Sequence, residues 1–298
     1  MNKPTISVIV PVYNSEQFLA SVLESVLAQT SPANEIIVVD DGSTDGSADI
    51  IATYGERVRT LRQTNQGQGV ARNRGAEAST GSLLAFIDSD DLWDSNKLAI
   101  QVALLERFPQ AVATYCDYRT IDGHGAVTQT TSAVGTPRPS GNALQQLLIG
   151  NCVGSPSVVL VRREAFFRAG GFNEKHSRAA EDYALWLALA VIGPIIYSPD
   201  TLVSYRRHAA QTTQDPRFAY NRALGNLDSY DRVAALITGV NNNDTREIYR
   251  TRVWEALLTL NWAARRYGDR RVALVSSLRA WRMRPWRMDL LGTLLRSL

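Results

Sequence analysis

The sequence predicts an α/β fold, a mostly parallel sheet flanked by helices, and three observations carry that reading. Short apolar, β-branched runs recur along the N-terminal two thirds of the chain. Segments with apolar residues three to four positions apart separate them, and polar residues gather where the runs end. Strands that alternate with helices imply βαβ units.

The elements follow in order. Ile6–Val12 is a buried strand. Residues 16–29 have apolar positions 18, 19, 22, 23, 26 and 27, a helical spacing. Residues 35–39 form a second buried strand that ends at Asp40-Asp41, and Ser43, Thr44 or Asp45 can cap the next helix. Residues 58–61 read as a strand, 69–79 as a helix, 83–87 as a strand, 97–108 as a helix and 111–118 as a strand. Residues 119–141, rich in Gly, Thr, Ser and Pro, read as a β-excursion or mobile loop. A strand over 155–162, a helix over 163–169 ending at Gly170-Gly171, a helix over 181–192, and extended segments over 195–197 and 202–206 complete this part. From about residue 218 the pattern is helical to the end. The expected organisation is a domain over 1–215 and a helical, Arg-rich region over 216–298.

A chain of 298 residues with 45% hydrophobic residues can bury a sizeable core. Cys116 and Cys152 cannot form a disulfide framework, and reduced thiols in a cytosolic protein are the simpler reading. No secretory signal is recognised after Met1, and the longest apolar run, 184–197, is broken by Gly193-Pro194 and too short to span a membrane. Net charge is unevenly divided: −5 over 1–215 and +8 over 216–298, where all 15 basic residues are arginine. That asymmetry points to an anionic partner or to a solvated helical face.

In a parallel sheet, ligands bind at the C-terminal strand ends. Three such ends carry polar residues here: Pro11-Val12-Tyr13-Asn14, Asp40-Asp41-Gly42-Ser43 and Asp88-Ser89-Asp90-Asp91. Asp88 and Asp90 alternate along an extended segment and can face one way. Carboxylates so close repel unless a cation sits between them, and hard divalent cations take oxygen ligands. The alternative is that Asp91 or Asp94 caps the helix near Lys97. One aspartate of Asp40-Asp41 can accept from ribose hydroxyls or a base N–H. No glycine fingerprint follows the first strand, which disfavours a dehydrogenase.

Taken in order, Val8-Ile9-Val10-Pro11-Val12-Tyr13-Asn14, Val38-Val39-Asp40-Asp41-Gly42-Ser43-Thr44-Asp45, Gly69-Val70-Ala71-Arg72-Asn73-Arg74-Gly75, Phe86-Ile87-Asp88-Ser89-Asp90-Asp91, Gly170-Gly171-Phe172-Asn173-Glu174 and Glu181-Asp182-Tyr183-Ala184-Leu185-Trp186 resemble the family 2 glycosyltransferases of GT-A fold. The resemblance covers about residues 5–210. It implies a Rossmann-like, mixed nucleotide-binding sheet flanked by helices, with the C-terminal helices as an extension. It also implies inverting transfer from a nucleotide-diphosphate sugar, a UDP-sugar by expectation, with Mn²⁺ or Mg²⁺. By position, Pro11, Tyr13 and Asp41 line the base and ribose pocket, Val12, Asn14 and Ser89 stand with them, and Arg72 lies near the nucleotide. Asp88 and Asp90 form the metal motif, Asp90 being the direct ligand, and His208 is a further candidate ligand. Asp182 is the base, paired with Glu181.

Tyr205-Arg206-Arg207-His208 could approach the diphosphate, and 206–215 could close over the donor. Trp93 and Trp186 read as core residues, and 151–156 as a border of the acceptor site. Over 265–298, Arg265, Arg266, Arg270, Arg271, Arg279, Arg282, Arg284 and Arg287 interleave with Trp281, Trp286, Leu290, Leu291, Leu294 and Leu295. That composition fits a helix lying on the inner face of a membrane beside a lipid-linked or other glycan acceptor, and fits an internal packing helix or homo-oligomer surface nearly as well. A sugar nucleotidyltransferase lacks its Gly-rich loop here, a non-catalytic sugar-binding module has no use for the acidic set, and nucleic acid is disfavoured by the acidic core.

Overall fold

The computed structural model describes residues 4–131, 137–176, 179–209, 211, 215 and 217–284. Ile6–Val12 (β1) is buried at every position, as a continuous apolar run requires in the middle of a sheet. It lies parallel to Glu35–Asp40 (β2) on one side and to Leu83–Phe86 (β4) on the other. Arg59–Arg62 (β3) continues the sheet beyond β2. The chain therefore builds outward in one direction and then returns to the other side of β1. A crevice opens at that reversal, at the C-terminal strand ends.

Beyond β4 the order runs through Val159–Arg162 (β8), Ala113–Ile121 (β6), Ile195–Arg206 (β9) and Leu92–Trp93 (β5), with Val127–Gln129 (β7) pairing β6. β8 is antiparallel to β4 and β6, while β9 is parallel to β6. The sheet is thus mixed rather than mostly parallel. The two extended segments over 195–206 are one strand, whose register shifts opposite Asp117. Residues 155–162 are a strand only in their second half, because Pro156–Val158 forms a 3₁₀ turn.

The flanking helices are Leu19–Leu27 (α1), Ser47–Thr53 (α2), Gln68–Ala78 (α3), Lys97–Arg107 (α4), Leu144–Ile149 (α5), Arg163–Arg168 (α6) and Tyr183–Ile192 (α7). α3 has small residues where a surface helix would have leucines. A Cβ at Gly75 would meet Ile9 Cγ2 at 2.5 Å and Val39 Cγ2 at 3.2 Å, so glycine lets α3 lie directly on β1 and β2. The expected caps did not form. α2 begins at Gly46 without a side-chain cap, although Asp45 Oδ1 accepts from Ser47 N at 3.0 Å. Neither Asp91 nor Asp94 caps α4: Asp94 pairs with Arg119, and Asp91 Oδ1 accepts from Arg206 N on β9 at 3.0 Å.

Phe218–Thr238 (α8), Asn243–Arg266 (α9) and Arg270–Met283 (α10) follow. They share the main apolar cluster, to which α8 contributes Leu227, Tyr230, Val233 and Ile237, and the Tyr230 ring meets Tyr183 of α7 with centroids 5.8 Å apart. Trp93 and Trp186 are buried, as read from the sequence. Residues 285–298, with Trp286, Arg287 and the four tail leucines, lie outside the described residues. Among the described residues no helix is long and apolar enough to cross a membrane.

Candidate active site

A cleft of about 1090 Å³ opens at the strand ends. Pro11, Val12, Tyr13, Asn14, Asp41, Asp88, Ser89, Asp90 and His208 all line it. Asn14 sits at φ 49°, a region asparagine tolerates, and its Oδ1 accepts from Thr44 N at 2.8 Å. The end of β1 is thereby tied to the turn after β2. Tyr13 is 47% exposed, a free ring at the mouth. Asp41 is buried and already accepts three bonds of 2.8 Å, from Gln63 Nε2, Gln66 N and Gly67 N. It shapes the 63–67 loop and keeps room for one further donor. Ser89 Oγ is 2.6 Å from Ser15 Oγ, a bond between strand ends.

Asp88 and Asp90 diverge in their partners. Asp88 Oδ1 accepts from Arg72 Nη2 at 2.5 Å, and Asp88 Oδ2 from Ser155 Oγ at 3.4 Å. Asp90 Oδ2 lies 3.0 Å from His208 Nε2, whose ring packs on Phe18 with centroids 4.8 Å apart. Two ligands at adjacent corners of an octahedron with bonds of about 2.1 Å stand about 3 Å apart. Asp90 and His208 stand at that spacing through a direct hydrogen bond, which a hard cation taking both as ligands would have to replace. No third such side chain converges with them among the described residues, so further ligands would be phosphate oxygens and water, as magnesium-type sites often use.

Arg72 does not line the cleft. It is buried at 1% exposure, with Nη1 donating to Glu181 Oε1 at 2.8 Å. Glu181 also accepts from Gln68 Nε2 at 2.6 Å, and Gln68 does line the cleft. Arg206 is likewise occupied. Its Nε donates to Asp90 O at 2.8 Å and its guanidinium covers Phe18, so it does not reach out to a diphosphate. Gln211 and Asp215 line the cleft, but residues 210 and 212–214 of the expected lid lie outside the described residues.

Asp182 stands at the start of α7 without capping it. Its Oδ2 accepts from Trp186 Nε1 at 3.1 Å and from Asn151 Nδ2 at 3.4 Å. Burial, and then the charge of Glu181, push this carboxyl up from 3.8 to about 7. Burial and the charges of Asp90 and Asp88 push Asp91 well above its ordinary value. Ala180, just before the pair, is held at φ 60°, a strained conformation for a residue with a Cβ.

The sequence pattern described as glycosyl transferase family 2 matches residues 7–169. The chain belongs to that family. An uncharacterized glycosyltransferase of Rickettsia prowazekii is 30% identical over 76% of this chain and 70% of its own. The putative teichuronic acid biosynthesis glycosyltransferase TuaG of Bacillus subtilis is 33% identical over 68% of this chain and 79% of its own. S. aureus TarS, in its crystal structure with UDP-GlcNAc, superposes with a TM-score of 0.69 at 18% identity, over 98% of this chain and 89% of that one. The fold of this glycosyltransferase is GT-A, with a C-terminal helical extension.

Two residues of the quoted motifs, Asn73 and Gly171, have a part in the site that the sequence did not reveal. Asn73 clamps the segment before the acidic pair: its Nδ2 donates to Phe172 O at 3.0 Å and its Oδ1 accepts from Phe172 N at 2.9 Å. Gly171, at φ 64°, leaves room for it, since a Cβ there would meet Asn73 Oδ1 at 2.7 Å. The Gly69–Gly75 motif held both Asn73 and Arg72, but only folding brings 72–73 against 172 and 181.

Proposed function

We propose that this glycosyltransferase moves a sugar from a UDP-sugar to a hydroxyl of a glycan or lipid-linked acceptor, with inversion, in cell-surface polysaccharide synthesis. The observation that carries the reading is Asp182: a buried carboxyl raised to about 7 and held by an indole N–H. It does not itself line the cleft but follows Glu181, the partner of the cleft residue Gln68. A general base works best when its pKa lies near the working pH. In this reading Asp182 takes the proton of the attacking hydroxyl, at Oδ1 or Oδ2, as the bond to the anomeric carbon forms and the nucleoside diphosphate leaves. Asn151 and Trp186 orient it. Tyr13, Pro11 and Asp41 hold the nucleoside.

Asp90 and His208, with Asp88 beside them, would hold a Mn²⁺ or Mg²⁺ ion, which when bound neutralises charge developing on the diphosphate. The UDP donor is supported by TarS, which binds UDP and UDP-GlcNAc. The polysaccharide role is supported by the likeness to TuaG. The Arg-rich C-terminal region supports an acceptor at the inner membrane surface. A thermal-shift series of nucleotide sugars with and without Mn²⁺, followed by UDP release with and without acceptor glycans, tests the reading. Binding without any UDP release under all conditions would favour a non-catalytic sugar-binding module.

A further inference from the structure

Arg72 joins two parts of the site that lie far apart in the chain. One end of its guanidinium holds Asp88 on the donor side at 2.5 Å, and the other holds Glu181, the neighbour of Asp182, at 2.8 Å. Its plane lies over the Phe172 ring, 5.2 Å from the centroid. Gln68, next to it on α3, reaches the same Glu181 oxygen at 2.6 Å. The segment carrying Phe172 is itself clamped by Asn73, so two successive turns of α3 hold the acidic pair and the segment before it.

We infer that Arg72 is a positioning residue that fixes the proton-accepting carboxylate of Asp182 relative to the donor, by bridging Asp88 to Glu181, and supplies the buried positive charge that faces it. The inference rests on the reading of Asp182 as the base. A planar fork can hold two carboxylates at opposite ends, whereas the point charge of lysine cannot do both. Position matters steeply here, because small displacements of reacting groups cost large factors in rate.

The groups facing Asp182 are few enough to separate. Glu181 adjoins it in the chain, Arg72 comes from α3, Trp186 from α7 and Asn151 from the loop after α5. Glu181 raises the Asp182 carboxyl, while Trp186, Arg72 and Asn151 lower it. Removing Glu181 and removing Arg72 should therefore move it in opposite directions. Those shifts report the charge that Arg72 presents; R72K, which keeps that charge but cannot span both carboxylates, isolates the positioning role.

The experiment is a carboxyl-carbon NMR titration of aspartate-labelled full-length protein, with the Asp182 resonance assigned by its loss in D182N. R72Q alone would strand the buried carboxylate of Glu181, so R72Q is made in the E181Q background. E181Q should lower the Asp182 midpoint by about one unit, and E181Q/R72Q should raise it again by about one unit. R72K keeps the charge and should titrate within a few tenths of wild type. Its UDP release from UDP-N-acetylglucosamine should nevertheless fall by about tenfold or more. Equal midpoints in E181Q and E181Q/R72Q, or full turnover in R72K, would overturn the inference. Near-wild-type UDP release by D182N would instead remove the base assignment and leave the titration result standing.

Discussion

Replacing Asp182 by asparagine deletes a charge and keeps its surroundings. The amide oxygen can still accept from Trp186 Nε1 and Asn151 Nδ2, now at 3.1 and 3.4 Å. The wild-type carboxyl is raised from 3.8 to about 7, so the folded chain keeps a proton that the unfolded chain has released. Its contribution to stability therefore declines as pH rises from about 4 to about 7 and is constant above. At about 1.4 kcal/mol per unit, the penalty at pH 8 has a ceiling of about 4 kcal/mol, falling below half of that at about pH 5. D182N escapes it.

For a chain of this size each kcal/mol is worth roughly 2 °C, so D182N should melt about 4–8 °C above wild type at pH 8. The gap should shrink by more than half at about pH 5. UDP release should be lost across the range. Differential scanning fluorimetry at the two pH values measures the first two outcomes. A D182N protein that melts at or below wild type at pH 8 would refute the reasoning, because the buried charge would then cost the fold nothing.

Other consequences can be measured in the same preparations. D90A should lose the Mn²⁺-dependent part of UDP-sugar binding by calorimetry, and H208A should weaken it; donor affinity identical with and without Mn²⁺ in wild type would count against both. G75A forces a methyl to within 2.5 Å of Ile9 and should destabilise by about 1–3 kcal/mol in urea unfolding. An unaltered unfolding midpoint would mean that α3 can move away from β1. Full-length protein should float with anionic liposomes and a 1–284 form should not; equal flotation would remove the membrane role of the tail.

Much of the fold could be read because its central strands are buried on both faces and so appear as unbroken apolar runs. β1, β2 and β4 are of this kind. The missed strand β5 has only Leu92 and Trp93, too short for any periodicity, and exists because β9 offers an edge. The mixed direction of the sheet was hidden for a related reason: Val159–Arg162 has the composition of any buried strand, and only its partners set its direction. In the site, the aspartates were legible as residue types, but their division of labour was not. Asp41 does line the cleft, though most of its accepting capacity is taken by the 63–67 loop, whereas Arg72, which looks like a ligand contact in one dimension, is buried between Asp88 and Glu181. Arg206 misleads in the same way, since a basic cluster in sequence says nothing of which carbonyls it will cap.

The C-terminal helices bear on the chemistry more directly than their position after the matched region suggests. Gly225 of α8 lies against the chain just before the acidic pair: a Cβ there would meet Ala179 O at 2.5 Å and Ala180 Cβ at 3.1 Å. Asp228, one turn further along α8, accepts from Asn173 Nδ2 at 2.7 Å and Lys175 Nζ at 2.6 Å. Strained backbone such as Ala180 persists only where its surroundings over-determine it. Here α8 supplies one wall, and Asn173 N, donating to Glu181 O at 2.9 Å, ties the acidic pair to the segment that Asn73 clamps. The residue proposed as the base is therefore set between α3 of the sheet domain and α8 of the extension. A change in how α8 packs would be felt at Asp182 before it reached the cleft at the strand ends.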